Sequence, residues 1–379
     1  MAIADKLNEL VIQRDNLANN LNTMGVSAST DETLSTLVPK VLDIETGGGD
    51  ISEYIDTSTT LTGSTSANSC GHWIKYIKKI PTRGLIFGTN AGYSFYKYPY
   101  NELDTTGWNT SATTNMTNMF DGISVSQLDL SNLNTNNVTN MSRMFNSIKI
   151  EELNLDVLDT INVTDMSYIF SNAKIQNLIM DNIDTSNVKN MAGMFNYFNY
   201  STTANTEDKW LDINFSSDNV TNMTYMFYCT DATPIFHNFN TSNVTNMSNM
   251  FTEQMMSSYY HKFSLDISSF NAEKVTNINT MFRYNMKLEE LNFMENLGKG
   301  YTQKSANYSN YTLDLSSATN LTHDSLMNVI NKLYDLNLTY NVANGGTLYT
   351  QSLTIGSKNL AKLTAEEISI CTSKGWAVS

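Results

Sequence analysis

The chain has 379 residues, with 23 Lys and Arg against 37 Asp and Glu, for a formal net charge of −14. That balance argues against a nucleic-acid partner, whose phosphates need cations, and against an anionic membrane or polymer surface. Only 16% of the residues are charged, so Asn, Thr and Ser fill the polar positions, and Cys70, Cys229 and Cys371 are too scattered for a disulfide framework or a zinc site.

Residues 1–46 predict a helical module. Ile3, Leu7, Leu10, Arg14, Leu17, Leu21 and Met24 alternate spacings of four and three, an a/d seam with one polar a position, Arg14. Gly25 ends the seam. Ser29-Thr30-Asp31-Glu32 is a capping box for a second short helix that stops before Pro39. A helix this short is marginal alone in water. It needs a partner, either further copies, which makes it an oligomerisation stalk, or its own second helix. The a and d residues leave two, three or four strands open. The start of the chain lacks a basic segment followed by a continuous apolar core, so synthesis in the cytoplasm without a secretion signal is expected, and no apolar run is long enough to predict a membrane-spanning helix. Gly47-Gly48-Gly49 marks a linker over 47–50.

Residues 51–103 read as an N-terminal cap and a first repeat turn. His72–Ile80 and Gly84–Gly88 suit a short hairpin covering that turn, and Asn90 to Phe95 has the spacing of Asn115 to Phe120. Then one phrase recurs through 104–320. V-T-N-M-x-x-M-F and its variants end at Phe120, Phe145, Phe170, Phe195, Phe227, Phe251 and Phe282, with gaps of 25, 25, 25, 32, 24 and 31. Periods in this range belong to stacked supersecondary units. Upstream of the Phe lies L-x-L-x-x-L, as in Leu128/Leu130/Leu133, Leu153/Leu155/Leu158, Leu178/Met180/Ile183 and Leu265/Ile267/Phe270. This predicts very short strands forming a parallel sheet. Met-x-x-Met-Phe predicts the opposing wall at helical or 3₁₀ spacing. The Asn residues of the phrase (Asn115, Asn140, Asn190, Asn222, Asn246, Asn277) predict an inward ladder that caps backbone groups, and Leu313-Asp314-Leu315 is the last recognisable strand. Residues 321–379 read as the C-terminal cap: an amphipathic helix through Leu321, Leu326, Val329, Ile330, Leu333 and Leu336, then a helix opened by the capping box Thr364–Glu367 and ended by Gly375.

The phrase V-T-N-M-S-x-M-F, preceded by L-D-L-S-x-L-N-T, resembles the Asn/Met-rich leucine-rich repeats of bacterial surface proteins, the BspA-like class. The terminal segment LTIGSKNLAKLTAEEISICTSKGWAVS resembles the cap that such repeats carry in tail-associated bacteriophage proteins. The first 46 residues resemble the helical module that begins phage tail-fibre and baseplate proteins. The expected fold class is therefore an α/β solenoid of BspA-like leucine-rich repeats, capped at both ends and preceded by an N-terminal helical coiled-coil module. The resemblance implies a virion protein, a tail-fibre, baseplate or other appendage, assembled as a homotrimer. It would join other virion proteins through residues 1–46 and bind a host cell-surface glycan or protein. The alternative is a bacterial surface adhesin or protein-interaction module.

Three turns are longer than the rest, with extra residues at Asn196–Trp210, Thr252–Ser264 and Arg283–Thr312, all leaving the repeat just after Met-Phe. They carry Tyr197, Phe198, Tyr200, Tyr259, Tyr260, His261, Tyr284, Tyr301, Tyr308 and Tyr311 among Ser, Thr and Asn. Tyrosine among small polar residues gives rigid contact area with adaptable hydrogen bonding, so these ten are the candidate receptor contacts. The position between the strand leucines carries Asp104, Asp129, Asp212, Asp266 and Asp314, broken by Asn154 and Ile179; it reads as a solvated acidic face more than a calcium site. His72, His237, His261 and His323 have no nucleophile or metal spacing, and Glu151-Glu152 and Glu289-Glu290 hold equivalent repeat positions, so neither a cofactor nor an enzymatic activity is expected.

Overall fold

A computed structural model describes residues 84–200, 210–237, 239–253, 262–300, 312–337 and 351–379, together with Asp15, Ala18, Asn19, Ser29, Thr60 and Leu61. The seam Ile3, Leu7, Leu10, Arg14, Leu17, Leu21 and Met24 lies outside the described residues. Within them the protein is a β-rich repeat fold built from short parallel strands with few helices.

The strands are β1 (Thr60–Leu61), β2 (Ile86–Phe87), β3 (Lys149–Asn154), β4 (Lys174–Ile179), β5 (Asn199–Tyr200), β6 (Trp210–Ile213), β7 (Thr233–Phe236), β8 (Phe263–Asp266), β9 (Leu288–Asn292), β10 (Thr312–Asp314), β11 (Gln351–Thr354) and β12 (Trp376–Val378). Each described pairing is parallel: β1 with β2, β3-β4-β5, β6 with β7, β8 with β9, and β10-β11-β12. In β3 the apolar Ile150 and Leu153 face inward while Lys149, Glu151 and Glu152 stay exposed. β2 pairs in parallel with β1; His72–Ile80, the other arm of the expected hairpin, lies outside the described residues.

The opposite wall is not helical. Each Met-x-x-Met-Phe segment has one left-handed residue two before its Phe and another two after it, for example Arg143 (φ 56°) and Ser147 (φ 55°), then Tyr168 (φ 56°) and Asn172 (φ 56°). Alternate amides point to different partners. Met116, Asn118 and Phe120 donate to the carbonyls of Asn140, Ser142 and Met144 one turn on, at 2.9–3.0 Å. Met119 and Asp121 fold back to Met116 and Asn118 at 3.1–3.2 Å. The wall is thus a staircase that satisfies its own backbone and that of its neighbour in one pattern. Sequence spacing alone does not separate this from a helix, since both bring Met, Met and Phe to one side.

The core is a file of side chains repeated turn by turn. Phe120, Phe145, Phe170, Phe195, Phe227, Phe251 and Phe282 are fully buried, and successive rings stack with centroids 5.6–6.1 Å apart. Trp108 and Phe95, stacked at 5.0 Å, close the file at its N-terminal end. The paired methionines of the phrase are buried beside them. Burying each such side chain contributes about 1.5–3 kcal/mol.

Along the staircase, Asn90, Asn115, Asn140, Asp165, Asn190, Asn222, Asn246 and Asn277 form an unbroken column of parallel bridges. Each side-chain oxygen accepts the amide two residues on; Asn140 Oδ1, for instance, accepts from Ser142 at 2.8 Å. They cap the backbone as expected, but they are half-buried and not inward-facing.

At the C-terminal end, helix α1 (His323–Lys332) buries Leu326, Val329 and Ile330. After the short α2 (Gly356–Leu360), α3 (Ala365–Ser373) opens on the capping box of Thr364 and Glu367. Lys374 Nζ donates to the carbonyls of Ile330, Asn331 and Leu333, closing the C-terminus of α1. Parallel pairing does not end at residues 313–315, because β11 and β12 extend the sheet beyond β10.

Candidate binding face

The chain reverses at the left-handed residues of the staircase, and at several of them the side chain reaches the surface: Arg143 is exposed and Tyr93, Tyr168, Tyr225, Asn249 and Thr280 are half-buried, whereas Asn118 is buried. Equivalent positions in successive turns are Tyr93, Asn118, Arg143, Tyr168, Gly193, Tyr225, Asn249 and Thr280. The Arg143 guanidinium lies over the Tyr168 ring, 4.6 Å from its centroid. The Tyr168 ring in turn covers Gly193, where an added Cβ would stand 2.2 Å from it. Only glycine admits that approach, and its φ of +61° costs it nothing.

Next to this pair sits a tyrosine cluster. Tyr228 meets Tyr197 and Tyr225 edge-on, each at 5.3 Å. Cys229 is buried beneath and donates to Glu253 Oε2 at 3.6 Å. Burial, with the Glu253 charge adding to it, pushes the Cys229 thiol up to about 12, so it stays a thiol and is no nucleophile. Burial and the hydrogen bond with Tyr197 push the Tyr228 hydroxyl upward as well. For Tyr197 the hydrogen bond from Tyr228 pulls down, but burial and the neighbouring Cys229 and Glu253 prevail and the net direction is up. Both phenols are therefore neutral donors and acceptors. Two turns on, Arg283 lies over Tyr284 at 4.4 Å. What the face offers is aromatic area, guanidinium groups and neutral hydroxyls on a rigid backbone.

Of the ten expected contacts, Tyr197 (45% exposed) and Tyr284 (47%) lie on this face, in equivalent positions of different turns. Phe198 does not. It is fully buried, edge-on to Phe195 at 5.5 Å and Phe170 at 6.5 Å, because it fills the place that Ile148 and Ala173 fill in earlier turns. Tyr200 lends its backbone to β5 opposite Ile175. Tyr259, Tyr260, His261, Tyr301, Tyr308 and Tyr311 lie outside the described residues. The insertions are also narrower than the spacing implies. Asn196–Tyr200, Thr252–Glu253 and Arg283–Gly300 belong to the repeat, since Tyr197 and Glu253 donate to Tyr228 and Arg283, and Leu288, Leu291, Phe293 and Leu297 are core. Tyr228 was legible only as the residue after the phrase, and Tyr168, Tyr225 and Arg143 only as variable positions within it. The recurrence of tyrosine there, at 93, 168 and 225, is the signal that finds them.

The acidic strand positions have a local use. Asp104, Asp129, Asp266 and Asp314 accept the amides of Thr106, Ser131, Ser268 and Ser316, each at 2.9 Å. The Ser131 hydroxyl and amide hold Asp129 below the usual carboxylate range. Burial raises Asp266, but the bonds from Ser268 and Asn292 outweigh it and the net direction is down. Among the described residues no group of three or more His, Cys, Asp or Glu is placed to hold a metal ion, and no helix is long and apolar enough to cross a membrane. Glu152 accepts from Asn177, Glu289 pairs with Lys262, and Glu290 accepts from Ser264. His237 lies 3.5 Å from Asp212, and His323 lies 2.9 Å from Glu367.

The model of one family, described as a Mycoplasma protein of unknown function, DUF285, matches residues 89–210 and 198–322. The matched span runs from the first staircase turn to the residue that caps α1. No curated protein and no solved structure matches the chain. With its repeat region matched from end to end, the chain belongs to the DUF285 family.

Proposed function

We propose that the protein is a virion structural component of a bacteriophage, a tail-fibre, baseplate or other appendage, whose stacked turns form a leucine-rich-repeat solenoid that attaches to the host cell. The observation that carries this reading is the staircase face. Arg143, Tyr168, Tyr197, Tyr225 and Tyr228 display aromatic and hydrogen-bonding groups on a backbone fixed by pairing to both neighbouring turns. A rigid surface of aromatic rings, guanidinium groups and neutral hydroxyls suits recognition without chemistry. In this reading residues 1–46 form the coiled-coil stalk of a homotrimer and the joint to other virion proteins. The partner is a host-surface glycan or protein. Nucleic acid and membrane insertion play no part, and the protein is not an enzyme.

The test is adsorption. Labelled full-length protein is expected to bind host cells and to compete with virions, and a Tyr197→Ser/Tyr228→Ser variant is expected to lose most of that binding. Immunogold labelling that leaves virions bare would overturn the assignment. A second reading is supported by the family match, which is described from Mycoplasma. In that reading the chain is a bacterial surface adhesin or interaction module, and antibody would label cells instead of particles.

A further inference from the structure

We infer that the sheet face carries a second site, a platform for a neutral hexopyranose glycan, built from Trp210, Asp212 and His237. Its use in host attachment rests on the function proposed above; its chemistry rests on geometry alone. At the strand position of Trp210, the other described repeats place Glu152, Asn177, Thr233, Ser264, Glu290 and Thr312, all polar. Trp210 is 49% exposed there, so half of the largest apolar side chain faces water.

Two residues along β6, on the same face, stands Asp212, about 7 Å away at ordinary strand rise. It departs from its equivalents. Asp129, Asn154, Asp266 and Asp314 spend an oxygen on the amide two residues on, whereas the partner of Asp212 is the imidazole of His237 at 3.5 Å. His237 is held in place by its own amide, which donates to Ile213 at 2.9 Å. On the neighbouring strand, in register with Trp210 and Asp212, lie the buried Thr233 and the half-buried Ile235. An indole face takes the C–H face of a pyranose. A carboxylate and an imidazole beside it bind adjacent hydroxyls, the carboxylate as acceptor. The formal charge of −14 disfavours acidic glycans at the same place.

The experiment uses the full chain on an array of neutral hexose and N-acetylhexosamine oligosaccharides, followed by fluorescence titration with the best-bound oligosaccharide. Trp210→Ala is expected to weaken binding about tenfold or more, Asp212→Asn several-fold, and Trp210→Phe only slightly, with Gln176→Ala on β4 unchanged. Circular dichroism establishes that each variant is folded. Unaltered binding by Trp210→Ala overturns the site. So does the absence of any neutral glycan ligand, or binding of tetramethylammonium in place of sugar. If the chain adsorbs to cells but binds no sugar, the site falls and the attachment role stands. If it binds sugar through Trp210 but never adsorbs, the attachment role falls and the site stands.

Discussion

The two walls of the repeat treat insertions differently. On the strand side, the strands of the described residues fall into β3-β4-β5, β6-β7, β8-β9 and β10-β11-β12, with the divisions at the long turns. On the staircase side, the bridges pass from Asn190 to Asn222 and from Asn246 to Asn277 as they do from Asn115 to Asn140. Separations of 32 and 31 residues give the same register as 25. The staircase therefore sets the stacking, and the sheet side absorbs variation. A surface meant to stay constant belongs on the first wall, and one meant to diversify on the second.

The sharpest way to break this comparison is through the file of rings. Phe227 stacks on Phe195 at 5.6 Å and on Phe251 at 5.7 Å, and meets Phe236 edge-on. Phe227→Ala should cost about 3–5 kcal/mol in urea denaturation. Leu153→Ala, on the strand wall and equally buried, should cost about 2–5 kcal/mol and fall below it. A larger loss at Leu153 would assign the stacking to the sheet.

Gly193→Ala comes next. The new methyl group must adopt φ near +61° and displace the Tyr168 ring. We expect a loss of about 1–2 kcal/mol from the backbone alone, with the Tyr168 resonances shifted in NMR. Unchanged stability and spectra would mean that the staircase tolerates side chains at its closest approach.

Capping separates the walls more finely. Asn140→Ala removes a half-buried cap within the continuous column and should cost about 1 kcal/mol. Asp129→Ala removes an exposed cap on the sheet side and should cost about half as much. The two also differ in pH response. Hydrogen bonds from Ser131 and Ser186 lower the folded-state values of Asp129 and Asp184. Such groups stabilise fully above the unfolded carboxylate value, and that stability is lost as pH falls through the lowered folded value. Acid unfolding should therefore be less steep in Asp129→Asn, while Asn140→Ala leaves its steepness unchanged.

What the sequence made legible follows the same division. The repeat, its buried Met and Phe residues, the Thr364–Glu367 box and the amphipathic α1 were readable because periodicity and capping chemistry are local. The staircase was not, since Arg143, Tyr168, Tyr225 and Thr280 are poor residues for positive φ and mask the hint given by Gly193, Asn118 and Asn249. The binding face was missed in part for the same reason. Tyr197 and Tyr284 stood out beside long gaps, but Tyr225 lies inside the phrase, where an aromatic reads as filler, and Tyr228 follows its last residue in a turn with no long gap. Phe198 misled because a gap of 32 residues made Asn196–Trp210 look inserted throughout, although its first five residues complete the turn.

The smallest expected effect tests the comparison most directly. Residues 201–209 connect β5 to β6 at a break in the sheet. Doubling that connection with Gly and Ser costs only the added closure entropy, about 0.6 kcal/mol, because the file of rings and the Asn190–Asn222 bridge do not pass through it. One extra residue between Met223 and Met226 lengthens nothing appreciable. It nevertheless displaces the amides of Tyr225 and Phe227 from the carbonyls of Ser248 and Met250 and turns Met226 out of the core. If nine added residues at the first place destabilise less than one at the second, register resides in the staircase. If the long insertion is the more damaging, the sheet side carries the register, and the apparent freedom of its loops has another origin.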